Sequence, residues 1–291
     1  MTGANTTPVV AMTIAGSDSG GGAGIQADLK VFAALGVHGT SAITAVTAQN
    51  TKGVTGVHQL PAAQVVAQID AVRADLAVRA VKTGMLGTAR IAGAVAALAR
   101  AGELPNLVVD PVLVSTSGHR LGVVGAVERL LPYALVATPN RAEASALVGW
   151  PVRTADEMAR AAAELAAGGP RFVVVTGGDP DGTSTDTAAV DVVAMAPGVA
   201  PGVAPGVVAA AAGGSWQLSG ERLDTRNTHG TGCSFAAAVA ARLALGDDVP
   251  AALIFAKEYV ARALAGARHW QLGAGHGPID HFGWSARPTT T

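Results

Sequence analysis

VVAMTIAGSDSGGGAGIQADLKVFAAL, Val9–Leu35, is the stretch from which the fold is read. Val9–Ala15 is an apolar run without alternation, which is what a strand covered on both faces requires. A polar and glycine cluster follows, Gly16 to Gly24, and then a helical pattern over Ala23–Leu35. At about 100° per residue, Ile25, Leu29, Phe32 and Leu35 fall on one apolar arc. Asp28 falls inside that arc, where a carboxylate is costly unless something satisfies it. Strand, glycine-rich loop and helix together make half of a β–α–β unit.

The unit recurs along the chain. Strands are expected at Ser41–Ala48, Val78–Lys82, Leu107–Asp110, Ala134–Thr138 and Phe172–Thr176. Helices are expected at Ala62–Leu76, Ala89–Ala101, Val123–Leu131 and Ala155–Ala167, with Thr231–Leu245 and Val249–Arg268 closing the chain. The fold class is therefore α/β, with a mostly parallel sheet between helical layers. Ala188–Leu223 differs, as two strand-like pieces that suggest a hairpin at a sheet edge. Strand after strand ends in a polar or glycine cluster: Gly16-Ser17-Asp18, Thr47-Ala48-Gln49-Asn50, Thr83-Gly84-Met85, Asp110, Pro139-Asn140 and Gly177-Gly178-Asp179. In a parallel sheet these ends share one side, where open α/β folds bind ligands.

Composition removes several classes. Of 291 residues, 49% are hydrophobic and only 14% charged, against a usual charged share of about 25%. That excludes a disordered chain, a coiled coil and a disulfide scaffold. Twenty basic residues face 21 acidic ones, and no Lys/Arg block offers a footprint for nucleic acid or an anionic membrane. Cys233 is the one cysteine, and Met1–Pro8 lacks the cationic start and apolar core of a signal peptide. The expectation is a cytoplasmic protein with a small-molecule substrate. Val192–Gly214 is uncharged and as long as a membrane span. However, it carries Pro197, Pro201 and Pro205 in an APGV triplicate at Ala196–Val207. Repeated Pro-Gly favours turns, so residues 1–291 read as one domain with a low-complexity insertion at about 196–214.

The strongest chemical motif is Asn227-Thr228-His229-Gly230-Thr231-Gly232-Cys233, at a helix start. Glycines around a small polar residue let backbone N–H groups converge, and the helix dipole favours a phosphate or phosphoryl transition state there. Asp28 has two readings, a first-turn acid at a helix N-terminus or an acceptor for a polar ligand. Gln49 offers one acceptor and two donors that suit an aminopyrimidine edge, or a loop-satisfied amide. Asn140-Arg141-Ala142-Glu143 reads as a capping box or as a place near a metal–nucleotide complex. Asp110 ends an apolar strand, and carboxylates with waters and phosphates are how Mg²⁺ is held. No zinc spacing, GxSxG elbow or Walker A string is present.

Together the strings TIAGSDSGGGAGIQADLK from Thr13, TAVTAQNT from Thr44, KTGML from Lys82, VVDPVLV from Val108, TPNRAEA from Thr138, NTHGTGC from Asn227 and GHGPIDHF from Gly275 resemble the ribokinase-like family. Within it they resemble the hydroxymethylpyrimidine/phosphomethylpyrimidine kinase branch of thiamine biosynthesis. The resemblance implies a three-layer α/β/α ribokinase-like fold, ATP and Mg²⁺, a pyrimidine alcohol phosphorylated twice, and a homodimer. Gly16, Asp28, Gln49, Met85 and Val112 would line the acceptor pocket. Gly230, Thr231 and Gly232 would form the anion hole, with Cys233 where most relatives place an Asp base. Asn140 and Glu143 would sit near the metal–nucleotide, and Thr176, Gly177 and Gly178 near the ATP phosphates. A thiol with pKa near about 8.5, lowered at a helix N-terminus, could be neutral or a weak base as each transfer requires. One departure stands out: Thr116-Ser117-Gly118-His119 occupies the place where relatives carry Lys-Ser-Gly-Asp. Two rival readings are a pyridoxal kinase of the same family and a catalytically inactive pyrimidine-binding homologue.

Overall fold

The computed structural model describes residues 7–113, 124–178, 188–199 and 215–286. It starts with β1 (Val10–Ala15), buried along nearly its whole length as its unbroken apolar run requires. Then come α1 (Gly24–Ala34), β2 (His38–Ile43), β3 (Ala45–Asn50), β4 (Gly53–Gln59), α2 (Ala62–Asp75), β5 (Val78–Thr83) and α3 (Ala89–Arg100). The chain continues through β6 (Val108–Val109), α4 (Val124–Val127), β7 (Val136–Ala137), α5 (Arg141–Val148), α6 (Ala155–Ala167) and β8 (Phe172–Val175). It closes with β9 (Ala188–Met195), β10 (Ser215–Glu221), α7 (Thr231–Leu245) and α8 (Val249–Ala267).

The main sheet runs β10-β9-β8-β7-β6-β5-β1-β2. From β8 to β2 every pairing is parallel, while β9 runs antiparallel to both β8 and β10. Side chains alternate across a strand, so β1 sends Ala11 to one core and Met12 and Ile14 to the other. On the first face Ala11, Ala80, Val108 and Val136 meet Phe32 of α1, Ala237 and Ala241 of α7, and Leu253 of α8. On the second, Met12, Val81 and Val109 meet Ile69 of α2, Ile91 and Val95 of α3, and Met158 of α6. The alanines of α7 let it lie close to the sheet, which is how a chain with 4% aromatics fills three layers. The three-layer α/β/α expectation therefore holds. None of the described helices is long and apolar enough to cross a membrane.

Two local expectations change. Ser41–Ala48 is not one strand: β2 stops at Ile43, Thr44 turns the chain, and β3 pairs antiparallel with β4 in a separate ribbon. Thr44 is buried at that turn, its N–H on the Ala15 carbonyl and its hydroxyl on that of Met85. The ribbon's alternation of buried and exposed residues suits a half-exposed hairpin, not a central strand. Gln49 therefore lies on this ribbon and not at the end of a main-sheet strand. The helix expected over Val123–Leu131 shortens to α4, followed by a 3₁₀ turn at Leu131–Tyr133 that carries Pro132 in its first turn. The hairpin of β9 and β10 sits at the sheet edge as expected.

Candidate active site

At the carboxyl end of the sheet each strand end is tied to its neighbour. Gly84 N–H donates to Ile14, Asp110 N–H to Thr83, Thr138 N–H to Val109, and Thr176 N–H to Pro139. This ladder aligns the loops after β1, β5, β6, β7 and β8. The N-terminus of α7 meets them from the side. Gly230 begins that helix at φ 85°, a left-handed conformation that favours glycine. A Cβ there would also collide with the Gly22 carbonyl oxygen. The anion-hole string and the opening glycine loop are thus in backbone contact.

The centre of the site is a buried charge cluster. Asp28, on the buried face of α1, and Lys82, at the end of β5, are both 0% exposed. Lys82 Nζ lies 3.0 Å from Asp28 Oδ2 and 3.5 Å from Asp110 Oδ2. Thr13 Oγ1 donates to the same Asp28 oxygen at 2.6 Å. Asp28 Oδ1 and Asp110 Oδ2 are buried without a hydrogen-bond donor. Burial raises the Asp28 carboxyl against the opposing effect of Lys82 and Thr13. Burial works against the Lys82 ammonium too, but Asp28 first, with Asp110, holds its pKa above the ordinary value.

Cys233, half-buried in the first turn of α7, stands close to Asp110 and to the Gly24 N–H. Burial pushes its thiol up to about 12, with Lys82 opposing and the two carboxylates adding to the rise. The expectation of a thiol lowered by the helix N-terminus is thereby corrected. Burial and the two neighbouring carboxylates keep Cys233 a neutral thiol at physiological pH.

Asn140 caps α5 by accepting from Glu143 N–H at 2.9 Å, while Glu143 Oε2 accepts from Asn140 N–H at 2.9 Å. The capping-box reading is thus correct. Glu143 is buried, and burial, with Asp110 nearby, raises its carboxyl to about 8. Two such carboxyls, one with an oxygen lacking a donor, form a hard-oxygen set that fits Mg²⁺.

The other expected residues fall into two groups. Met85 packs on Gly16 so closely that a Cβ there would meet its methyl group, and Val112 turns back with its N–H on the Asp110 carbonyl at 2.9 Å. Gln49 reaches the same region from the ribbon, its Nε2 3.4 Å from His229 Nε2. Thr176 bridges to Asn140. Gly177 donates to Asp191 Oδ1 at 2.8 Å, and a Cβ at Gly177 would collide with the Val190 carbonyl. Nothing among the described residues would meet a Cβ at Gly178, and Thr116–His119 lies outside the described residues.

Four groups were not picked out in the sequence as functional: Lys82, Asp18, His229 and Asp191. The signal for Lys82 was available, since a carboxylate on the apolar arc of α1 demands a cation and Lys82 ends an apolar strand. Asp191 had no such signal, because its partner Lys257 is 66 residues away.

The model of the phosphomethylpyrimidine kinase family matches residues 18–280. The chain is 46% identical over 283 residues to a hydroxymethylpyrimidine/phosphomethylpyrimidine kinase of Streptomyces coelicolor, covering 96% of each chain. The solved ADP complex of Bacillus subtilis pyridoxal kinase superposes with a TM-score of 0.80 at 35% identity, over 97% of this chain and 100% of that one. A phosphomethylpyrimidine kinase from Clostridium difficile superposes with a TM-score of 0.70 at 37% identity, over 88% of this chain and 99% of that one.

Proposed function

The chain belongs to the phosphomethylpyrimidine kinase family, and we propose that it phosphorylates 4-amino-5-hydroxymethyl-2-methylpyrimidine and then its monophosphate, using ATP. The observation that carries this reading is the seating of the α7 N-terminus against the opening glycine loop, beside the Asp28–Lys82–Asp110 cluster. Catalysis of this class is positioning plus electrostatics. The N–H groups of Gly230, Thr231 and Gly232 face developing negative charge at the start of a 15-residue helix. Gly16, Met85 and Val112 shape the acceptor side, and Gln49 hydrogen-bonds the aminopyrimidine from the ribbon. Asp28 Oδ1, which lacks a donor, accepts from the exocyclic amine.

Thr176, Gly177, Gly178 and Asn140 hold the nucleotide phosphates, with Asp110 and Glu143 holding Mg²⁺. The metal supplies charge neutralisation across the phosphates. Cys233 stays protonated, and in the first transfer the hydroxyl proton passes to an oxygen of the transferred phosphoryl group as the loose transition state collapses. In the second transfer the nucleophile is itself a phosphate dianion, and a neutral thiol does not repel it as a fixed carboxylate would. No base is needed in that step.

Pyridoxal is the competing acceptor, and the TM-score of 0.80 to a pyridoxal kinase is what favours it. The test incubates the protein with Mg-ATP and, separately, the hydroxymethylpyrimidine, its monophosphate and pyridoxal, with products read by mass spectrometry. Diphosphate from the monophosphate is the expected result, and pyridoxal phosphate alone overturns it. A homodimer working in the cytoplasm completes the reading, its stoichiometry checked by light scattering.

A further inference from the structure

Asp18 sits in the opening glycine loop, 2% exposed, and makes no contact with the Lys82 cluster among those described above. Its Oδ1 accepts from Gly20 N–H at 2.8 Å. Its Oδ2 accepts from Gly22 N–H at 3.0 Å and Ala23 N–H at 2.8 Å, and lies 2.8 Å from His229 Nε2. Burial works against this carboxylate, but the hydrogen bond and charge of His229 and the Ala23 and Gly20 N–H groups hold it below the usual range. A carboxylate only accepts, so the His229 Nε2 carries a proton directed at Asp18.

His229 is the residue before the anion hole, and its own N–H donates to the Gly277 carbonyl at 3.0 Å. Its imidazole stands where a Cβ on Gly22 would be. The ribbon joins the same point. Ser19 and Gln49 exchange hydrogen bonds, Gln49 N–H to Ser19 Oγ at 2.7 Å and Ser19 Oγ to Gln49 carbonyl at 2.9 Å. Because the His229 Nε2 proton is directed at Asp18, that nitrogen cannot accept from the Gln49 amide 3.4 Å away. The Gln49 N–H groups are therefore not consumed by the ring.

We propose that Asp18 and His229 are positioning residues: a clasp 211 residues apart in sequence that fixes the anion-hole loop and the Gln49 ribbon against the opening glycine loop. It rests on the kinase activity read above, but not on which acceptor is used. Loosening the clasp leaves the nucleotide loop after β8 in place and lets the anion-hole amides drift from the transferring phosphoryl group.

The test is a double-mutant cycle on the full-length protein, with whichever acceptor the wild type phosphorylates. His229→Ala and Asp18→Asn are each expected to lower kcat about 100-fold, the scale of a misplacement of about an ångström. The KM for ATP should stay within about threefold, and the double variant within about threefold of the worse single one, as for partners in one interaction. Losses that multiply, or a lowered melting temperature with kcat retained below it, overturn the clasp. If Asp18→Asn does not fold, His229→Gln decides the matter, since Gln presents an N–H near the Nε2 position. Recovery of kcat well above the His229→Ala level at equal stability is the expected outcome. A Gln variant no better than Ala overturns the clasp. A wild type active only on pyridoxal would sink the acceptor assignment and leave this test intact.

Discussion

Two buried lysine–aspartate pairs flank the carboxyl end of the sheet, and they are built differently. Lys82 and Asp28 are 0% exposed, share a second carboxylate in Asp110, and leave two carboxylate oxygens without donors. Lys257 and Asp191 are 16% and 7% exposed, and both Asp191 oxygens are engaged, one by Lys257 at 2.8 Å and one by Gly177 N–H at 2.8 Å. The second pair is a complete arrangement that pins a loop. The first is incomplete among the described residues, with one cation for two carboxylates, and in the proposed function it is the ligands that complete it. The difference teaches that burial of an ion pair does not by itself say what it is for; the oxygens it leaves over do.

The largest expected effect breaks the first pair. Lys82→Met strands Asp28 and Asp110 in a dry site and should cost about 3–5 kcal/mol, read by urea denaturation. Adding Asp28→Asn to it should restore a large part of that stability while phosphorylation stays lost. A cost for Lys82→Met below about 1 kcal/mol would put the two pairs in one class.

The second pair should give a smaller and differently placed loss. Asp191→Ala leaves the Gly177 N–H without its acceptor, worth about 1–3 kcal/mol, and should raise the KM for ATP more than that for the acceptor. Lys257→Met, at the wetter end, should cost less than Asp191→Ala. Equal effects on both substrates would show that Asp191 supports the fold at large and not the nucleotide loop.

An effect absent at neutral pH and confined to acid sharpens the comparison with a buried base that is paired with no carboxylate among the described residues. His281 packs its Nε2 3.1 Å from Ser234 Oγ, and Tyr259 OH donates to its carbonyl at 2.6 Å. Burial first, then the charge of Lys30, hold its pKa down to about 4 against 6.5 ordinarily, outweighing Asp280. The unfolded chain therefore binds this proton more readily than the folded one. Stability is whole above pH 6.5 and falls as pH drops toward about 4, by up to about 3 kcal/mol. Melting temperature against pH should show that acid limb in the wild type and a flatter one in His281→Gln.

Much of this was legible beforehand because it depends on local pattern. Unbroken apolar runs gave the parallel strands, Asn140 with Glu143 gave the α5 cap, and the glycines around Thr231 gave the start of α7. The position of Asp28 on an apolar arc announced a buried charge. What stayed hidden was pairing at a distance. Asp28 called for a cation and Lys82, one of only four lysines in the chain, ends an apolar strand, but only the fold brings the two together. Nothing near Asp18 names His229. The ribbon was missed because Ser41 to Ala48 is continuous in β propensity, while the break at Thr44 comes from hydrogen bonds to Ala15 and Met85. The Cys233 thiol was misjudged because a helix start can be read from a string, whereas the desolvation around it cannot.

The register of the edge hairpin has one more consequence. Met195 pairs with Phe172 at the beginning of β8, and Val192 with Val175 at its end. β9 thus ends and β10 begins at the end of the sheet away from Thr176, four residues or about 13 Å along the strand. Selection on phosphoryl transfer has little grip on that corner. A reporter or affinity tag spliced between Met195 and Ser215 would enter the sheet at the corner farthest from Thr176.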